Sequence, residues 1–134
     1  MKFLLHISLI FLAIAATTGC IEDGFSTSPS DQPVFSTDTL DLGAVFTDEP
    51  TPTRRFLVHN PHSKSLSISD ISISGADASC FRMNVDGISG HSFTGVEIRP
   101  NDSIFVLVEA TLPETADVTK DYSANIDFTT NGVS

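Results

Sequence analysis

The sequence predicts an all-β fold, an antiparallel sandwich of short strands set behind an export signal. Three observations predict it. After residue 20 no stretch carries a helical period of useful length. Short runs alternate apolar and polar residues between Gly, Pro, Asn and Asp turn signals, the pattern of antiparallel strands with one wet face. The first twenty residues differ in kind: Lys2, an apolar run from Phe3 to Ala16 broken only by His6 and Ser8, then Thr17-Thr18-Gly19-Cys20. A basic start, a short apolar core and small residues before a cut define a secretory signal peptide. The run is shorter than the roughly twenty residues that a spanning helix needs. The expected division is a signal over 1–19, a disordered acidic and Ser-rich tether over 20–32, and one domain over 33–134.

Glu22 to Pro33 has Phe25 as its one large apolar residue. Such a composition buries too little to order itself, and it is expected to hold the domain away from a membrane. Val34-Phe35 opens the domain. Leu40, Leu42 and Val45 read as a strand, with Gly43-Ala44 marking a bulge or close backbone approach. Thr47 to Thr53 is a loop. Arg54 to Asn60 reads as a strand, with Phe56 and Val58 on one face and Arg55, Leu57 and His59 on the other. Pro61 has no N–H to donate and ends it.

Leu66 and Ile68 share one phase, and Ile71 and Ile73 the other. A bulge at Ser69-Asp70 is therefore predicted inside one strand. Gly75 to Ser79 is a turn. Phe81, Met83 and Val85 alternate with Arg82, Asn84 and Asp86. Gly87 to Gly90 reads as a second turn, and Phe93, Val96 and Ile98 as weaker strand material. Arg99-Pro100-Asn101-Asp102 turns into Ile104 to Leu112, which is apolar on both faces. That predicts a central strand, or a strand whose outer face meets a second domain. Pro113 to Lys120 is a polar loop. Tyr122, Ala124, Ile126 and Phe128 alternate with polar residues, and Asn131-Gly132 is a tight-turn signal. A return strand is expected after that turn, and only Val133-Ser134 follow it.

The formal net charge is −10, and removing residues 1–19 takes away Lys2 and no acid. The acidic balance excludes nucleic acid as a partner. It also argues against direct binding to anionic head groups, so attachment to a membrane falls to a lipid. There are two cysteines, Cys20 and Cys80. With Cys20 acylated, Cys80 has no partner and reads as a small buried hydrophobe beside Phe81. Ordinary cleavage after Ala15 or Ala16 leaves Cys20 a free thiol, and a Cys20–Cys80 disulfide is then the alternative.

Three resemblances extend this reading. Gly19-Cys20 at the end of an apolar signal resembles the lipobox of bacterial lipoproteins, in which the cysteine is acylated and becomes the mature N-terminus. Thr17 departs from that pattern, where a large aliphatic residue is usual. Glu22 and Asp23 resemble the surface-export signal of lipoproteins in the Bacteroidota, which leaves the cell surface and the periplasmic face both open. Further on, Leu42-Gly43-Ala44-Val45, Arg55 to Asn60, Leu66 to Ile71, Phe81, Ile98 to Ser103 and Tyr122 to Asn131 look like the immunoglobulin-like sandwich domains related to the major sperm protein and the ASPM–SPD-2–Hydin group. That resemblance covers residues 33–132. It implies an immunoglobulin-like antiparallel sandwich with its last strand missing. It also implies a non-enzymatic binding, adaptor or spacer module, with no cofactor and an unidentified protein or glycan partner. The outer membrane, through acyl chains on Cys20, is the implied location. The alternative is the N-terminal accessory domain of a longer envelope enzyme, one acting on polysaccharide.

Other constellations are thin. His59 and His62 flank Asn60-Pro61 without a third ligand at metal spacing. Glu114, Asp117 and Asp121 lack the closely spaced, Gly-centred ligands of a calcium loop. Ser89 and His91 are close in sequence, but no Gly-x-Ser-x-Gly elbow exists. Asp38-Thr39-Leu40 and Asp102-Ser103-Ile104 resemble the Asp-Ser/Thr-aliphatic acceptor of Bacteroidota O-glycosylation at Thr39 and Ser103; the other reading is Asp and Ser/Thr capping a turn before a strand.

Overall fold

A computed structural model of the protein describes residues 24–134; the signal, Cys20, Glu22 and Asp23 lie outside the described residues. The strands in chain order are β1 (Val34–Phe35), β2 (Arg54–His59), β3 (Leu66–Ser74), β4 (Phe81–Val85), β5 (Ile88–Gly90), β6 (Ser92–Phe93), β7 (Val96–Ile98), β8 (Ser103–Ala110) and β9 (Asn125–Thr130). All their pairings are antiparallel. One sheet has the order β1-β2-β8-β4-β5. In the other, β3 is central: β6 and β7 pair along one side and β9 along the opposite side. The two sheets form a β-sandwich. When β1, β2, β3, β4, β8 and β9 are lettered A to F, the sheets read A-B-E-D and C-F. With the short β5, β6 and β7 left out, that strand order matches the immunoglobulin layout.

The buried faces follow the sequence alternation. Phe56 and Val58 of β2, Met83 and Val85 of β4, and Ile104, Val106 and Val108 of β8 point inward from the larger sheet. Ile68, Ile71 and Ile98 meet them from the smaller one. The predicted bulge is present, since the β3–β9 register shifts between Ile68 and Asp70. One extra residue there lets both Ile68 and Ile71 reach the core although their spacing is odd. β8 is the central strand predicted, held by β2 on one side and β4 on the other.

Asn60 closes one end of the sandwich and is fully buried. Its side-chain NH2 donates to the carbonyls of Lys64, Ile98 and Arg99 at 2.8, 2.9 and 3.1 Å. Its Oδ1 accepts the His62 N–H at 2.9 Å. A single amide thereby ties the end of β2 to the approach to β3 and to the β7–β8 turn.

Four stretches differ from the sequence expectation. Residues 24–33 are docked, where a disordered tether was expected. Ser26 is buried, and its N–H donates to Ser65 O at 2.8 Å. The Asn131 amide donates to Ser28 O and Asp31 O at 2.9 and 3.1 Å. Hydrogen bonding to the domain orders a segment that has too little apolar surface to order itself. Leu40 to Val45 form no strand. Gly43 has φ +81°, and the bonds within this segment are local, from Thr37 Oγ1 to Thr39 O and from Gly43 N–H to Asp41 Oδ1. Ile88–Gly90 is a strand, because the turn falls one residue earlier: Asp86 and Gly87 have φ +49° and +88°, the two positive values of a type I′ hairpin. The last strand starts at Asn125, three residues later than the alternation from Tyr122 indicates.

Candidate functional site

The outer face of the five-stranded sheet carries a shallow groove of about 770 Å³. Its side chains come from the strand positions opposite to the core. Register decides which of them meet. Arg55 of β2 faces Leu107 of β8, which faces Asn84 of β4, which faces Ser89 of β5. Leu57 faces Phe105, and Arg82 faces Glu109. Phe105 is 44% exposed on this face. The Arg55 guanidinium sits 5.1 Å from the centre of the Phe105 ring, within range of a cation–π attraction. Arg82 Nη2 donates to Glu109 Oε1 at 2.8 Å, and Asn84 Nδ2 donates to Ser89 Oγ at 3.1 Å.

This face offers contact groups of several kinds. An exposed ring, two guanidinium groups and an amide can stack on and hydrogen-bond to a flat polar or peptide surface. Among the described residues no hydrogen bond joins Ser89 to His91 in this groove. Ser89 Oγ is engaged by Asn84.

Ser89 and His91 line this groove, whereas the histidine pair, the Glu114–Asp121 loop acids and the two Asp-Ser/Thr acceptors fall outside it. His59 Nδ1 lies 3.0 Å from Asp102 O and 2.9 Å from Ser103 Oγ. His62 Nε2 lies 3.0 Å from Gln32 O, and its Nδ1 lies 3.6 Å from an Asp31 oxygen. The two histidines thus fasten different loops. Among the described residues no group of three or more His, Cys, Asp and Glu is placed to hold a metal. Asp117 is engaged by Thr119, whose hydroxyl and N–H hold its carboxyl below the usual aspartate range. Thr39 is exposed in the irregular segment. Ser103 is half-buried, with its N–H on Asp102 Oδ1 at 2.7 Å and its hydroxyl against His59. Cys80 is half-buried and joins no disulfide among the described residues.

Asp77 and Lys120 pin the long loop before β9. Lys120 Nζ donates to Asp77 Oδ1 at 2.9 Å, and the Ser123 N–H donates to Asp77 Oδ2 at 3.2 Å. The Lys120 hydrogen bond first, and the Ser123 N–H second, hold the Asp77 carboxyl below its ordinary value. Asp77 in turn raises the Lys120 ammonium.

Sequence reasoning found Phe105 and Leu107 through the run that is apolar on both faces. It missed Arg55 and Arg82 as their neighbours, because only the β2–β8–β4 register brings them there. Comparison of the chain with family models, with curated proteins and with solved structures finds no match. Among the described residues no helix is long and apolar enough to cross a membrane.

Proposed function

We propose that this is a lipid-anchored cell-envelope protein whose sandwich is a non-catalytic binding or adaptor module. The observation that carries the binding role is the outer face of the five-stranded sheet, where a strand shielded on both edges leaves Phe105 exposed beside Arg55. Phe105, with Arg55, Arg82 and Leu107 beside it on one outward face, is the contact surface of this reading. The anchor rests on the short apolar signal that ends in Gly19-Cys20, with Glu22 and Asp23 as the export signal that would carry it to the surface.

The docked arm sets the geometry of such an anchor. Residues 20–23 separate the acylated cysteine from the described chain, and four residues span at most about 14 Å. The domain would then sit close to the bilayer, with the Asn60 and Asn131 end facing it and the Pro113–Lys120 loop facing away. Several acyl chains on one residue give firm attachment, since each buried methylene contributes about 0.8 kcal/mol.

The test is detergent-phase partitioning and intact mass of protein extracted from its native membranes. The wild type is expected in the detergent phase, with acyl mass on Cys20. Cys20→Ala is expected in the aqueous phase. A wild type that is aqueous and unacylated refutes the anchor.

A further inference from the structure

The open side of the sandwich lies between β9 and the irregular segment 37–45. A cleft of about 1250 Å³ runs there, its floor made by core residues of both sheets, including Phe56, Ile73 and Val108. Phe35, Phe56 and Phe128 meet across it, with ring centres 4.8 to 6.5 Å apart. Both Ile126 and Phe128 pack on the core yet stay half-exposed. This is the place beside β9 where the immunoglobulin layout has its seventh strand.

The backbone of β9 shows what the cleft accepts. Thr130 exchanges both hydrogen bonds with Val133, at 2.9 and 3.0 Å, so its N–H and C=O point away from β3. Strand alternation then aims the N–H and C=O of Phe128 and Ile126 the same way. β9 pairs only with β3, so among the described residues no strand takes up these four groups. A row of unpaired backbone donors and acceptors is a template for an extended chain. The side chains of residues opposite Phe128 and Ile126 would enter the cleft, and that of the residue between them, opposite Asp127, would face water. Asp38, Asp41, Asp121 and Asp127 line the mouth. The one cation lining it, Lys120, is already bonded to Asp77 at 2.9 Å.

We infer that this edge is a strand-acceptor site for an extended segment of a partner polypeptide, one that alternates apolar residues with Lys or Arg. The ladder groups select a strand, the half-exposed aromatic floor selects alternate apolar side chains, and Asp127, on the outward face that the intervening residues share, selects basic ones between them. This inference deepens the reading of the domain as a binding module and rests on it, giving that module a partner class and a second contact region distinct from the Phe105 face.

The probe is a nine-residue peptide alternating Val and Lys, compared with an isomer in which the same residues are grouped in blocks. Binding to the purified protein is read by fluorescence anisotropy, and backbone protection by hydrogen exchange. The alternating peptide is expected to bind at least about tenfold more tightly than its isomer. It should slow exchange at Ile126 and Phe128 while leaving Asn125 and Asp127, already in the β3 ladder, unchanged. Asp127→Lys should weaken the Lys peptide about fivefold, the effect of turning one cross-strand attraction into repulsion, and leave a Val/Ser alternating peptide unaffected. Equal binding of the two isomers overturns the proposal. So does binding without protection at Ile126 and Phe128. Protection of these two amides before any peptide is added also overturns it, because the edge is then covered by this chain or by a second copy. None of these results alters the partitioning of Cys20→Ala, so a failed acceptor site and a failed anchor are separable.

Discussion

Replacing Asn60 with Ala removes a clamp that no other residue can replace. Three carbonyls, of Lys64, Ile98 and Arg99, lose their shared donor, and the His62 N–H loses its acceptor. The two amide hydrogens serve three carbonyls, so about three independent hydrogen bonds are lost. Each contributes about 1 kcal/mol net, and orphaned buried groups cost more. The expected loss is about 3 kcal/mol. At about 2.1 cal/mol/K per residue, over residues 24–134, that lowers Tm by roughly 13 °C. Asn60→Asp gives a sharper test. It keeps the acceptor for His62 but sets a buried carboxylate against three carbonyls, which raises its pKa in the folded state. A group with a raised folded pKa binds protons preferentially when folded, so stability rises as pH falls through that pKa and levels off below the unfolded value near 4. Asn60→Asp should therefore be less stable than Asn60→Ala at pH 7 and should recover as pH falls toward 4. Urea unfolding of the three proteins across that range is the assay. A loss under about 1 kcal/mol for the alanine variant, or an aspartate variant with no acid recovery, refutes the clamp.

Two further outcomes are expected. Asn131→Gly keeps the left-handed backbone at φ +52° while deleting the amide that holds Ser28 O and Asp31 O; the arm should loosen and exchange of the Ser26 N–H, bonded to Ser65 O, should accelerate about tenfold, the effect of about 1.4 kcal/mol. Unchanged exchange there would mean the arm is held by other contacts. The second outcome concerns the Asp77–Lys120 tie. Asp77 is depressed in the folded state, so its contribution is complete above about pH 4 and fades as pH falls through the lower folded value. Lys120 is raised, so its contribution is complete below about pH 10 and is lost as pH rises through the higher one. Exposure keeps the effect on global stability small. It should appear locally, as an acid-limb shift of the Ser123 amide resonance that Asp77→Asn abolishes; an identical titration in that variant would remove Asp77 as its source.

Much of the sandwich was legible because a strand with one wet face writes its orientation into alternate residues. Phe56 and Val58, Met83 and Val85, and the phase change across Ser69-Asp70 all specified which face is buried before any partner was known. Asn131-Gly132 was legible for the same local reason, since two residues with positive φ need few neighbours to be recognised. The strand expected over Leu40 to Val45 failed on this same logic. Alternation indicates a face but not a hydrogen-bonding partner, and in the structure these residues have only local bonds. The docking of residues 24–33 was illegible because its partners, Ser65 and Asn131, are distant in sequence and the bonds are polar.

The sequence by itself determined the all-β class, the inward faces, the bulge and the Asn131-Gly132 turn, because these depend on side-chain period and backbone freedom within a few residues. Only the tertiary structure decided which outward residues meet. The Arg55–Phe105 contact, the Asn60 clamp and the edge of β9 that no strand among the described residues pairs all arise from strand register and sheet order. These are set by the packing of the whole core, so no local stretch of chain contains them.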